Sequence, residues 1–220
     1  MKPEIVLVIT DKERNARLES LGVSLLELRV DLFKRLDSDY CLKQIKHRRL
    51  LKIPIILTIR NQKKEGALKE FADAKKLGLM QTLLPFADWV DIELSSPILP
   101  QVRALARELD KKVVISTHNF VDMPINMEQK IRKILSLRVD MVKMAFNAQS
   151  EHDLVRMINF THVHRKQPLV TMCVGHMGAL SRLILPAVGS RWVYTFLHKP
   201  TAAGQIDVIT LQKQFKLYYL

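Results

Sequence analysis

The chain has 220 residues, enough to enclose a full hydrophobic core, and its 48% hydrophobic and 26% charged content is that of an ordinary globular protein. No apolar run approaches a membrane span or a signal-peptide core, so a cytoplasmic protein with no membrane association is expected. The formal charge of +13 invites a nucleic-acid reading, but the basic residues are dispersed and aromatics, at 6%, are too few for a stacking platform. Cys41 and Cys173 lack a CxxC spacing, so neither a disulfide framework nor a thiolate metal site is implied.

Along the chain an apolar strand followed by an amphipathic helix recurs. Residues 5–9 predict the first strand, with a helix opening at Thr10, where Thr10-Asp-Lys-Glu13 has the capping-box form. The second strand covers 25–32 and its helix 39–50; the third covers 53–60 and its helix 68–83. Residues 89–94 form the fourth, and the next helix begins at Ser96-Pro97, a serine cap with a first-turn proline. The fifth spans 113–118, and its helix sets Met127, Ile131, Ile134 and Leu135 on one face. The sixth, 141–145, leads to a helix capped at Ser150. Residues 169–174 are the seventh, followed by a short helix near 180–186. Residues 192–197 are the eighth, followed by a helix from 206 to about 218. Eight strands alternating with eight helices predict an α/β fold, a single (β/α)8 TIM barrel of parallel strands over residues 1–220. An open doubly wound sheet calls for a Gly-rich first turn, and Thr10-Asp-Lys-Glu13 is not one.

Barrel active sites lie at the carboxyl ends of the strands. There Lys143 interrupts the apolar stretch Asp140-Met-Val-Lys-Met-Ala-Phe-Asn-Ala148, where its ammonium must give up water. Such a lysine is paired with a carboxylate, snorkels to solvent, or is kept for chemistry, because a neutral amine attacks a ketone to form a Schiff base. Glu27, Arg29 and Asp31 alternate onto one face of the second strand. Arg60 ends the third strand with Glu65 in its loop, Asp91 and Glu93 share a face of the fourth, His118 ends the fifth, and Arg182 follows the seventh. Their convergence describes a Schiff-base lyase acting on a small anionic ketone. Arg29 and Arg60 are expected to keep Lys143 partly neutral, His118 to move protons, Glu65 to fix its tautomer, and an arginine to grip a substrate carboxylate.

Other signals carry less. Gly175-His-Met-Gly178 is a weak phosphate-turn pattern, and His162 and His164 point to opposite sides of a helix, which argues against a metal site. A Schiff-base aldolase and a basic nucleic-acid-binding protein are the rival readings; the first accounts for Lys143 without Arg182 and Gln205, and the second predicts salt-sensitive binding to nucleic acid.

Glu27-Leu-Arg-Val-Asp31, Leu57-Thr-Ile-Arg60, Asp91-Ile-Glu-Leu94, Ile115-Ser-Thr-His-Asn-Phe120, Val142-Lys-Met-Ala145, Gly175-His-Met-Gly-Ala-Leu-Ser-Arg182, Gly189-Ser190 and Ala203-Gly-Gln205 together resemble the type I 3-dehydroquinate dehydratases, in that family's order and over nearly the whole chain. The resemblance implies dehydration of 3-dehydroquinate to 3-dehydroshikimate in the shikimate pathway, with no metal or organic cofactor, by a homodimer. It implies Lys143 as the imine-forming residue, His118 as proton carrier and Glu65 as its orienter. It also implies Arg182 on the substrate carboxylate, Glu27, Arg29 and Arg60 on the hydroxyl side, and Thr201 and Gln205 in a closing loop. The chain departs from the family pattern in three places. The Arg60-to-Glu65 loop is one residue longer, with a single glycine after Glu65; Thr201-Ala-Ala-Gly-Gln205 replaces Ser-Ala-Pro-Gly-Gln, a loss of proline expected to loosen the loop; and Thr117 replaces the usual residue beside the histidine.

Overall fold

The computed structural model describes residues 3–219. Strands β1 (Glu4–Ile9), β2 (Leu25–Arg29), β3 (Ile55–Thr58), β4 (Trp89–Glu93), β5 (Lys112–Asn119), β6 (Met141–Asn147), β7 (Leu169–Val174) and β8 (Trp192–Phe196) pair in parallel, in the order β7-β6-β5-β4-β3-β2-β1-β8. Helices α1 (Asn15–Glu19), α2 (Ser38–Arg49), α3 (Asp73–Leu83), α4 (Leu99–Glu108), α5 (Met127–Ser136), α6 (Glu151–Val163), α7 (Gly178–Val188) and α8 (Val208–Tyr218) follow the strands one by one. This is the (β/α)8 barrel that the alternation predicts. Among the described residues no helix is long and apolar enough to cross a membrane.

The first and last strands of the ladder, β7 and β8, do not pair as strands. The seam between them is stitched by Arg191 N–H to Leu169 O (2.9 Å) and by Ser190, whose Oγ accepts from Thr171 N (3.0 Å) and donates to Thr171 O (3.2 Å). Outward-facing strand residues and the helices share the larger apolar core, which includes Met127, Ile131 and Ile134 of α5 as its face predicts. A smaller apolar cluster fills the barrel axis: Val6, Val8, Leu25, Ile56, Val114, Met141, Val170 and Met172, floored by Trp192, which meets Trp89 edge-on at 5.0 Å. Above that floor the axis turns polar.

Helix starts differ from the sequence expectation where distant groups take the backbone. Glu13 Oε2 does accept from Thr10 N (2.7 Å) and Thr10 Oγ1 (3.0 Å), yet α1 begins only at Asn15. Arg48 of α2 occupies the carbonyls of Glu13 (2.6 Å) and Thr10 (3.4 Å), which a helix opening at Thr10 needs for its own ladder. α3 begins at Asp73 rather than 68 because Asn61 Nδ2 holds Phe71 O (3.0 Å) and Asp73 Oδ1 (2.7 Å), keeping residues 66–72 as a loop. β2 ends at Arg29, where Val30–Leu32 tightens into a 3-10 turn.

Candidate active site

Because side chains alternate along a strand, one set from each strand points into the barrel and rises toward its carboxyl end. That set supplies Glu27, Arg29, His118, Lys143 and Tyr194 to one cavity, and the loops beyond the strands add Arg60, Glu65, Arg182, Thr201 and Gln205. All nine residues to which the family resemblance gives roles therefore line the same cavity, while Asp31, Asp91 and Glu93 lie outside its wall.

Lys143 is 4% exposed, and its ammonium is paired on two sides. Nζ donates to Glu27 Oε1 at 2.8 Å and to Asp91 Oδ2 at 3.1 Å, while the ring of Tyr194 lies beneath it, 4.0 Å from nitrogen to centroid. Thr58 Oγ1 also donates to Glu27 Oε1 (3.1 Å), and Ser116 Oγ to Asp91 Oδ1 (2.6 Å). Burial works to raise the Glu27 pKa, but Lys143, Arg29 and Arg60 outweigh it and hold the carboxyl below its usual range. The same balance, with Arg60 and Lys143 as the main cations, holds Asp91 far below it.

The two arginines are not the free repulsive charges expected from sequence. Arg29 is bonded through two nitrogens to Asp31 (2.7 and 3.0 Å), and Arg60 pairs with Asp91 (2.8 Å) and Glu93 (3.0 Å). Lys143 accordingly sits in a balanced network of ion pairs, not beside uncompensated cations. A period-two strand face brings opposite charges together as readily as like ones, and sequence does not say which partner each finds.

His118 and Glu65 do meet. Glu65 Oε2 is 2.9 Å from His118 Nδ1, and Ser95 Oγ donates to Glu65 Oε1 at 2.6 Å. The loop after Arg60 ends in the 3-10 turn Lys63–Glu65, which delivers the carboxylate to the imidazole. Gly66 closes that turn at φ 89°, and a Cβ there would lie 3.2 Å from the Phe120 ring, which stacks on His118. With a carboxylate at Nδ1 the assigned tautomer carries its proton there, leaving Nε2 as the basic nitrogen. Burial, then the Arg60 and Lys143 charges, push the His118 pKa below that of free imidazole despite Glu65.

Arg182 is 2% exposed and has no carboxylate partner among the described residues. Its Nη1 donates to Cys173 O (2.9 Å) and Gly178 O (2.6 Å), whereas Nε and Nη2 are buried without a partner among the described residues. Burial alone brings its pKa down to about 10. Thus one edge of the guanidinium is fixed to the backbone and the other is open.

The segment from Thr201 to Gln205 lines the same cavity and packs on Gly175 and Gly178. Gln205 Oε1 accepts from Thr201 N (2.7 Å), Thr201 Oγ1 (3.3 Å) and Ala202 N (3.2 Å), while Ala203 O accepts from Gly175 N (3.2 Å). These bonds join the residues of the loop to one another and to Gly175. Gly178 and Gly204 make the approach possible, since a Cβ on Gly178 would stand 2.7 Å from Gly204 Cα. Gly178→Ala is therefore expected to lift the loop, raising KM on the order of tenfold with little change in far-UV circular dichroism. An unchanged KM would show the loop docks elsewhere.

The sequence reading passed over Tyr194, Ser95 and the fully buried Lys76. Only Tyr194 left a signal, through its inward phase between Trp192 and Phe196.

A nearly closed parallel barrel with a buried lysine, a carboxylate-held histidine and an open guanidinium at the carboxyl end of its strands has the build of a barrel enzyme acting on a small molecule. The sequence model of the type I 3-dehydroquinase family matches residues 5–220. The chain is 32% identical to the 3-dehydroquinate dehydratase of Hydrogenobaculum sp., over 99% of both sequences. Among solved structures it is similar to the 3-dehydroquinate dehydratase of Geobacillus kaustophilus, at TM-score 0.88 and 26% identity over 100% of this chain and 93% of that one. It is likewise similar to the type I 3-dehydroquinate dehydratase of Clostridium difficile with covalently modified comenic acid, at TM-score 0.88 and 25% identity over 98% and 92%. The chain belongs to the type I 3-dehydroquinase family.

Proposed function

We propose that residues 1–220 form one catalytic domain that dehydrates 3-dehydroquinate to 3-dehydroshikimate, a step of the shikimate pathway, through a Schiff base on Lys143. The observation that carries this reading is the buried lysine facing a carboxylate-held imidazole and an open guanidinium across one cavity. Arg182 takes the substrate carboxylate on its free edge, and Glu27, Arg29 and Arg60 face the hydroxyl side. Once deprotonated, Lys143 Nζ attacks the ketone carbon, and the carbonyl oxygen leaves as water to give the protonated imine. That imine draws electrons from the adjacent carbon, whose proton passes to His118 Nε2. The electron pair then returns to expel the hydroxyl group, which departs as water with the proton held by His118, and a further water hydrolyses the imine. Thr201 and Gln205 cover the ligand and exclude solvent. Pairing into a homodimer rests on the family resemblance.

Mass spectrometry after borohydride reduction with 3-dehydroquinate tests the reading. A reduced adduct on Lys143, absent from Lys143→Ala, is the expected result; a folded, ligand-binding protein with no adduct would sink it. The pH dependence is a second expected outcome. Because His118 is held below the ordinary imidazole value, the conversion of the preformed imine to product is expected to persist on the acid side below pH ~6.5. Glu65→Gln removes the group that pulls that pKa upward, so its acid limb should move to still lower pH while kcat drops on the order of a hundredfold. An acid limb that moves upward instead would remove Glu65 from this role.

A further inference from the structure

Helix α3 buries Lys76, Leu79, Met80 and Leu83, the i, i+3, i+4, i+7 pattern of an apolar stripe. The first slot of that stripe holds a lysine with no exposure at all. Its Nζ lies 2.5 Å from Glu93 Oε2 and 3.3 Å from Asn61 Oδ1. Stability does not explain the choice, because replacing a buried ion pair with packed apolar side chains is commonly neutral or stabilising.

The chain of partners leads to the active site. Lys76 meets Glu93, Glu93 meets Arg60 (3.0 Å), Arg60 meets Asp91 (2.8 Å), Asp91 meets Lys143 (3.1 Å), and Lys143 meets Glu27 (2.8 Å). The signs alternate along this row: Lys76, Arg60 and Lys143 are balanced by Glu93, Asp91 and Glu27. Lys143 faces Glu27 from β2, Asp91 from β4, the neutral Tyr194 ring from β8, and the charges of Arg60 and His118 beyond them. Glu27, Arg60 and Lys143 line the cavity, Asp91 and Glu93 stand behind them, and Lys76 ends the row at the side away from the cavity.

We propose that Lys76 is a positioning residue for the nucleophile: by neutralising Glu93 it keeps Arg60 on Asp91, and so limits how firmly the carboxylates hold the Lys143 ammonium. This rests on the Schiff-base reading above. Without Lys76 the row carries one excess negative charge, Glu93 competes with Asp91 for Arg60, and Asp91 is freed to grip Lys143. The amine then becomes available only at higher pH. Without the Glu93 charge the imbalance has the opposite sign.

The test is the pH dependence of the rate of imine formation, from rapid mixing with 3-dehydroquinate and borohydride quench. Lys76→Met is expected to move the acid-side limb up by roughly one pH unit, a tenfold loss of rate on that limb. Glu93→Gln is expected to move it down, and the double variant Lys76→Met/Glu93→Gln to return it near the wild-type position. Lys76→Arg, which keeps the charge, should restore the wild-type limb. A purely structural lysine would give losses without opposite shifts, and limbs that stay put or move together would overturn the proposal. If Lys76→Met fails to fold by circular dichroism, the direction of the Glu93→Gln shift decides. Absence of any wild-type adduct would overturn the Schiff-base reading and this proposal with it. A normal wild-type adduct with unsplit limbs would overturn the role of Lys76 alone.

Discussion

Lys143→Ala is expected to lower kcat on the order of 10⁴-fold or more, because it removes the only group in the proposed reaction that becomes covalently bound to substrate. It should also weaken the fold. Lys143 is the nearest cation to Glu27, whose other side-chain partner is the neutral Thr58 hydroxyl, so its removal strands a buried carboxylate. Breaking one side of a buried pair costs about 3–5 kcal/mol. Asp91 fares better, since Arg60 and Ser116 stay in contact. The stability loss is therefore expected to track Glu27. In the wild type its pKa lies below the usual carboxylate range, so its contribution is present above the unfolded value and lost as pH falls through the folded one. In Lys143→Ala that contribution shrinks to what Arg29 and Arg60 still supply, and the gap between variant and wild type should narrow on acidification from neutral pH. Chemical denaturation at pH 7 and near pH 4 checks this. A gap that stays constant with pH would mean that Lys143 contributes to stability through packing rather than charge.

Arg182→Met is expected to damage binding and help the ligand-free fold at once. The guanidinium is buried, fixed along one edge to Cys173 O and Gly178 O, and without a partner among the described residues along the other. A substrate carboxylate there would gain a charge-assisted bond inside a low-dielectric wall, so loss of the arginine should lower kcat/KM by about 10²–10³-fold. The same burial, which brings the group down to about 10, makes it an uncompensated charge in the empty enzyme. Methionine, similar in length and apolar, removes that strain, and the ligand-free melting temperature should rise by a few degrees. Arg182→Lys keeps a positive charge without the planar fork and should recover little of the lost affinity. Calorimetry on the three proteins, without and with 3-dehydroshikimate, checks all of this. A ligand-free Arg182→Met melting below the wild type would show that its two backbone bonds outweigh the unpaired edge.

The strands were legible because a barrel strand is buried on both faces and reads as an apolar run bounded by turns; residues 169–174 match β7. The starts of α1 and α3 were not, since both are set by side chains distant in sequence, Arg48 for one and Asn61 for the other. In the site, charged residues on apolar strands stood out one by one, and the family pattern put them in order. What sequence withheld was the pairing. It gave no means to see that Arg60 would be spent on Asp91 and Glu93 while Arg182 stayed open. Nor did it separate Lys76 from Lys75, adjacent lysines of which one is fully buried and the other exposed.

The seam between β7 and β8 has a consequence for traffic through the site. A ladder hydrogen-bonded all the way round has no preferred place to yield, whereas this one has a clasp. Its lower half is fastened by Arg191 and Ser190, and its upper half, among the described residues, by the single backbone bond from Gly175 N to Ala203 O and the packing of Gly178 on Gly204. On one side of the clasp β7 runs on to Arg182, and on the other β8 runs on to Thr201 and Gln205. Lys143, Glu27 and Asp91 belong to the unbroken arc. Were that seam to part, Lys143 and its counter-ions would stay on strands paired on both sides, so the entrance is expected to yield before the lysine's surroundings do.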